Sequence, residues 1–128
     1  MFEQIPTRKK RKQPEASDQI KLAAWIAKNG IRFTASAAGG KRNLLEGLKF
    51  KRMGVSKGFP DIHIPYPRKG FHGLYIELKP IKGGRASSEQ IDWIDFLRQE
   101  GYCADFCYGF DEAVGLIESY FDMNETAA

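Results

Sequence analysis

Cysteine and histidine are scarce in this chain, two of each in 128 residues, and no C-x-x-C pair occurs, which argues against a structural zinc site. Both cysteines, Cys103 and Cys107, fall in an apparent strand from Tyr102 to Tyr108, where positions four apart lie ~13 Å from one another, too far for a disulfide. Buried thiols are expected instead. No apolar run approaches the ~20 residues that a membrane-spanning helix needs. No charged-then-apolar leader opens the chain either, so a soluble, intracellular protein is expected. Repeats and low-complexity tracts are missing too. Gly39-Gly40-Lys41 has the glycines and lysine of a phosphate loop, but the G-x-x-x-x-G-K-[ST] pattern is absent and Arg42 stands where a hydroxyl is required. Nucleotide hydrolysis is therefore not indicated, although the segment remains a candidate for phosphate contact.

What is present fits one compact domain. With 42% hydrophobic residues, the chain can bury a single core. Residues 15–122 are expected to form the domain, residues 1–14 a flexible basic arm and residues 123–128 a frayed tail. Charge divides unevenly between the halves: Met1 to Gly58 carries fourteen Lys and Arg against four Asp and Glu, whereas Phe59 to Ala128 carries six against twelve. A basic half attracts backbone phosphates whatever the base sequence, with binding that weakens as salt rises. The densest run, Arg8-Lys9-Lys10-Arg11-Lys12 between Pro6 and Pro14, is either a phosphate-gripping arm or a solvating tail.

Apolar periodicity gives an α/β order. Helical spacing runs from about Glu15 to Asn29 and stops at Gly30, with the buried face formed either by Ile20, Ala23, Ala24 and Ala27 or by Leu22, Trp25 and Ile26. Ile31, Phe33 and Ala35 then alternate with Arg32, Thr34 and Ser36, as in a strand. Asn43 to Met53 sets Leu44, Leu45, Leu48 and Phe50 at helical spacing, with Lys49, Lys51 and Arg52 on the other faces, and reads as a basic helical turn. Lys57-Gly58 offers backbone freedom for approach to a phosphate. A helix over Glu89 to Glu100 presents Ile91, Ile94 and Leu97 as a core stripe, with Trp93 and Phe96 as core or dimer interface, and Gly101 suits its left-handed cap. Asp111 is placed to cap a last helix that carries Val114, Ile117, Tyr120 and Phe121.

The chemistry concentrates in Pro60-Asp61 and, sixteen positions on, Glu77-Leu78-Lys79. Side chains alternate along a strand, so Glu77 and Lys79 share a face. A hairpin through Pro65 to Gly73 would bring Asp61 beside them. Two carboxylates of this kind suit a hard divalent ion that takes its other oxygens from water and phosphate, and a neighbouring ammonium suits a water or a phosphoryl oxygen. The same triplet can also be a solvated face with an ion pair worth ~0–1 kcal/mol. His63 would share the face of Asp61, or be an ordinary half-buried strand histidine. Gln90 follows Ser87 at the spacing of a capping box, and Lys82 and Arg85 lie in the glycine-rich loop Pro80 to Arg85, placed to clamp a substrate at the mouth of the site.

Taken in order, Gly54-Val55-Ser56-Lys57-Gly58-Phe59-Pro60-Asp61, Leu74-Tyr75-Ile76-Glu77-Leu78-Lys79, Gly83-Gly84-Arg85-Ala86-Ser87-Ser88-Glu89-Gln90 and Gly101-Tyr102 resemble the VRR-NUC domain, a branch of the PD-(D/E)xK nuclease superfamily, over roughly Gln19 to Phe121. The resemblance implies a mixed central β-sheet flanked by helices, restriction-endonuclease-like, and a phosphodiesterase dependent on Mg²⁺ or Mn²⁺. It implies Asp61 and Glu77 as metal ligands, Lys79 as catalytic lysine and a role for Gln90. The family draws a further acidic or amide group from its first helix, where Glu15 and Gln19 share a side at i, i+4. Small free-standing members look like phage-type proteins, which implies a homodimer that resolves branched DNA such as four-way junctions in the cytoplasm of a bacterial or infected host cell. The alternatives are a flap or linear-duplex nuclease and a non-catalytic DNA-binding module. Lys41, Arg42, Lys51, Arg52, Lys57, Lys82 and Arg85 are the expected DNA contacts.

Overall fold

The structure, a computed structural model, describes residues 14–36 and 43–123, with side chains from Ser17 onward. The basic run at residues 8–12, Lys41, Arg42, the side chain of Glu15 and residues 124–128 lie outside the described residues. The elements follow in the order α1 (Pro14–Lys28), β1 (Thr34–Ala35), α2 (Leu44–Arg52), β2 (Ile62–Ile64), β3 (Leu74–Lys79), α3 (Ser88–Gln99), β4 (Cys103–Tyr108) and α4 (Phe110–Tyr120). The strands make one sheet in sequence order. Pairing is antiparallel from β1 to β2 and from β2 to β3 but parallel from β3 to β4, so the sheet is mixed. The parallel step follows from chain length, because α3 spans the crossover that two parallel neighbours need. Among the described residues no helix is long and apolar enough to cross a membrane.

The two faces of the sheet have different coverings. On one, Ile62, Ile64, Leu74, Ile76, Leu78 and Cys107 pack with Leu22 and Ile26 of α1 and with Ala113, Ile117 and Tyr120 of α4. On the other, Tyr75 and Ala104 meet Ile94 and Leu97 of α3, with Phe59, Trp93, Tyr102 and Phe106 at the margin. All six residues of β3 are buried, as expected of a strand covered on both sides. Of the two faces open to α1 in the sequence, the structure selects Leu22, Trp25 and Ile26, and leaves Ile20 exposed. Both cysteines are free thiols.

Three sequence expectations are corrected, and one helix is left uncovered. The strand expected from Ile31 shrinks to Thr34–Ala35, because Ile31 and Phe33 turn in against the core without a ladder partner. The basic helix α2 is present as expected, with no buried residue, and Leu44 and Leu45 are 76% and 77% exposed. Periodicity identifies an apolar face but not whether anything covers it. Ile91 is likewise exposed, since the face of α3 turned to the sheet runs through Gln90, Ile94 and Leu97, and one residue's rotation carries position 91 outward. Asp111 does not cap α4, whose N-cap is Gly109 without a side-chain bond. Instead Glu112 reaches back to accept from the Tyr108 amide at 2.8 Å, and Asp111 rests in the first turn, where the helix dipole favours it.

Candidate active site

The antiparallel register that sets Ile62 opposite Ile76 brings the preceding Asp61 alongside Glu77. The bond from the Leu78 backbone N–H to Asp61 Oδ2, at 2.8 Å, fixes that carboxylate against β3, and the Asp61 carbonyl accepts from Ser36 on the strand side. Glu77 and Lys79 project together from β3 on the face that α3 covers, only 2% and 7% exposed. The solvated-face reading of this triplet therefore fails, for two charges out of water must be paired to persist.

Gln90 supplies that pairing. Its Oε1 accepts from Lys79 Nζ at 2.6 Å and from the Ser87 backbone N–H at 2.9 Å, while its Nε2 donates to Glu77 Oε2 at 2.9 Å. Lys79 Nζ lies 3.8 Å from the same Glu77 oxygen. The Gln90 backbone N–H in turn donates to Ser87 Oγ, which completes the capping box of α3. One side chain thus both closes the capping box of α3 and bridges Glu77 and Lys79.

Burial is the largest influence on Asp61. It pushes the carboxyl above its ordinary 3.8, against the lowering pull of the Leu78 amide, the Glu77 carboxyl and the Lys79 charge. Two adjacent carboxylates facing one ammonium leave the site short of positive charge. Among the described residues no group of three or more acids, histidines or cysteines gathers to form a complete cage. A pair of carboxylates is nonetheless the donor set that suits Mg²⁺ or Mn²⁺, which keep several waters and take phosphate oxygens from their substrate. The residues fit such an ion.

The remaining candidates are dispersed. His63 is half-buried and stacked on Tyr75, with ring centroids 4.1 Å apart and planes 4° from parallel, and burial holds its pKa below the ordinary value. It is the strand histidine of the two readings. Lys51 and Arg52 stand exposed in the last turn of α2, and Lys82 and Arg85 are exposed in the loop between Lys79 and Ser87. Lys57 reaches toward the start of α3, 3.9 Å from Glu89. On α1, Leu22 and Ile26 face the side of the sheet opposite Glu77 and Lys79, and Gln19 is half-buried. Sequence reasoning missed the Leu78 amide, since a backbone donor carries no residue signature. It also missed that Gly58 faces α3.

A mixed sheet that carries an aspartate on one strand margin and Glu-x-Lys on its neighbour defines a PD-(D/E)xK-type nuclease core. Residues 35–111 match the VRR-NUC domain, and a solved structure described as a VRR_NUC domain protein superimposes with a TM-score of 0.75 at 31% identity, covering 85% of this chain and 88% of that one. The chain belongs to the VRR-NUC domain family. Among curated proteins, none matches it.

Proposed function

We propose that the protein is a divalent-metal-dependent endodeoxyribonuclease that hydrolyses phosphodiester bonds in branched DNA, acting on four-way junctions as a homodimer. The observation that carries the nuclease part of this reading is the net of half-buried Asp61 and Gln90 with buried Glu77 and Lys79, in which every charged group is held by a hydrogen bond or an ion pair to another member or to β3. Asp61 and Glu77 would hold Mg²⁺ or Mn²⁺, and Glu15 is the first-helix candidate to join them. When bound, such an ion lowers the pKa of its water and offsets charge on the phosphoryl group.

The protein's own groups do the rest. Lys79 presents its ammonium where the attacking water and the non-bridging phosphate oxygens would gather, and Gln90 keeps that ammonium and the Glu77 carboxylate in register before substrate arrives, so no reorganisation is needed at the moment of reaction. Lys51, Arg52, Lys57, Lys82 and Arg85, with Lys41 and Arg42, would contact the DNA backbone, which positions a duplex without reading its sequence. Two sites related by a two-fold axis would suit paired nicks across a symmetric junction.

The experiment is cleavage of end-labelled four-way junction, flap and linear duplex DNA with Mg²⁺ or Mn²⁺, beside Lys79→Ala at the same salt. Paired nicks near the junction centre, lost in the variant, are the expected result. Cleavage of flap or linear DNA alone would move the function to DNA processing, and binding without any metal-dependent product would refute the enzymatic reading.

A further inference from the structure

Gly58 has φ +88°, and a Cβ there would lie 2.7 Å from the Glu89 carbonyl carbon and Cβ and 2.9 Å from the Gln90 nitrogen. The bare backbone before Asp61 is therefore in direct contact with the residue whose amide bridges Glu77 and Lys79. The neighbouring residues strengthen the junction. Phe59 packs edge-to-face with Trp93 of α3 and with Tyr75 of β3, ring centroids 4.9 and 5.4 Å apart, and Lys57 pairs with Glu89 across it. Gly54, in the same loop, has φ +97° but nothing within 4 Å of a Cβ. The two glycines share the backbone requirement, but only one has the contact.

We propose that Gly58 is a positioning residue for Gln90. Its lack of a side chain sets how closely the first turn of α3 approaches the chain that delivers Asp61, and so places the Gln90 amide between Glu77 and Lys79. The loop, Gln90 and Asp61 form one unit. The kinetic consequence rests on the nuclease reading above, whereas the structural one does not.

The test compares Gly58→Ala with Gly54→Ala. Each puts a side chain into left-handed backbone, a comparable local strain, but only the first displaces Gln90. In ¹⁵N spectra the Gln90 side-chain amide, assigned by its loss in Gln90→Glu, is expected to move in Gly58→Ala and to stay in place in Gly54→Ala. In metal-dependent cleavage Gly58→Ala is expected to lower kcat by on the order of 100-fold, the scale of a misplacement near 1 Å. KM should stay within about threefold, and Gly54→Ala should keep its kcat. Equal effects of the two variants on resonance and kcat would overturn the proposal. An inactive wild-type protein would instead refute the nuclease reading and leave the spectra to decide this one. Should Gly58→Ala not fold, hydrogen exchange of the wild-type protein decides: the Phe59 and Gln90 amides, bonded to the Ser56 carbonyl and to Ser87 Oγ, are expected to open together, with protection within about threefold, and independent opening would overturn the idea.

Discussion

Replacing Gln90 with alanine removes three side-chain hydrogen bonds at once: those from Lys79 and from the Ser87 amide, and the one to Glu77. Two involve a buried charge, for which a bond contributes about 1.5–3 kcal/mol, and the third caps a helix start, worth about 1 kcal/mol. The three do not simply add, because Lys79 and Glu77, already 3.8 Å apart, can close on one another once the amide is gone. A loss of roughly 3–5 kcal/mol is expected on these grounds. Ser87→Ala, which removes the acceptor for the Gln90 backbone N–H but leaves the Gln90 side chain in place, is the matched control, with an expected loss of ~1 kcal/mol. Urea unfolding of both variants with divalent ions chelated measures the difference. If Gln90→Ala were no less stable than Ser87→Ala, the amide would not be holding the buried charges together, and the argument for a preorganised site would fail.

Further outcomes follow from the same geometry. Because Asp61 binds its proton more tightly folded than unfolded, the unfolding free energy without metal should fall as pH rises from 3.8 through the raised folded value and then level off. Asp61→Asn should abolish that fall, and a slope surviving the substitution would contradict its assignment. Mg²⁺ at a hundred times its Kd should add about 2.7 kcal/mol of stability; chelation should reverse this, and calorimetry should find no increment in Asp61→Asn. Ile76→Ala in β3 should cost about 2–5 kcal/mol in denaturant titration. Leu45→Ala on exposed α2 should fall within about 0.5 kcal/mol of wild type, and a large loss there would mean that the helix is covered. Burial pushes the Cys107 thiol up to about 12 and raises Cys103 as well, so iodoacetamide at pH 8 should label Cys107 only after unfolding, as mass spectrometry of the digested protein would report.

Much of this was legible because local rules and tertiary structure agree along the central strands. Alternation in Leu74 to Lys79 told which side chains share a face, and the Ser87–Gln90 spacing marked the capping box of α3, which begins at Ser88, one residue before the expected Glu89. The failures lie where a pattern is necessary but not sufficient. Leucines at helical spacing describe α2 equally well covered or bare, and Ile91 differs from Ile94 only by a rotation that no composition encodes. For Glu77 and Lys79 the site reading and the solvated-face reading stay open in the sequence until the covering by α3 is known. The contact of Gly58 with Gln90 joins positions thirty-two apart through absent atoms, and a glycine gives no sign in sequence of which neighbour it must admit.

The single Gln90 oxygen that receives both the Ser87 amide and the Lys79 ammonium joins two properties that evolution usually tunes apart. A lineage released from any need for cleavage could lose Lys79 by drift, yet Gln90 would still be retained by selection for a folded chain. Persistence of that glutamine among relatives would then testify to heritage of the scaffold, whereas persistence of the lysine beside it would testify to use.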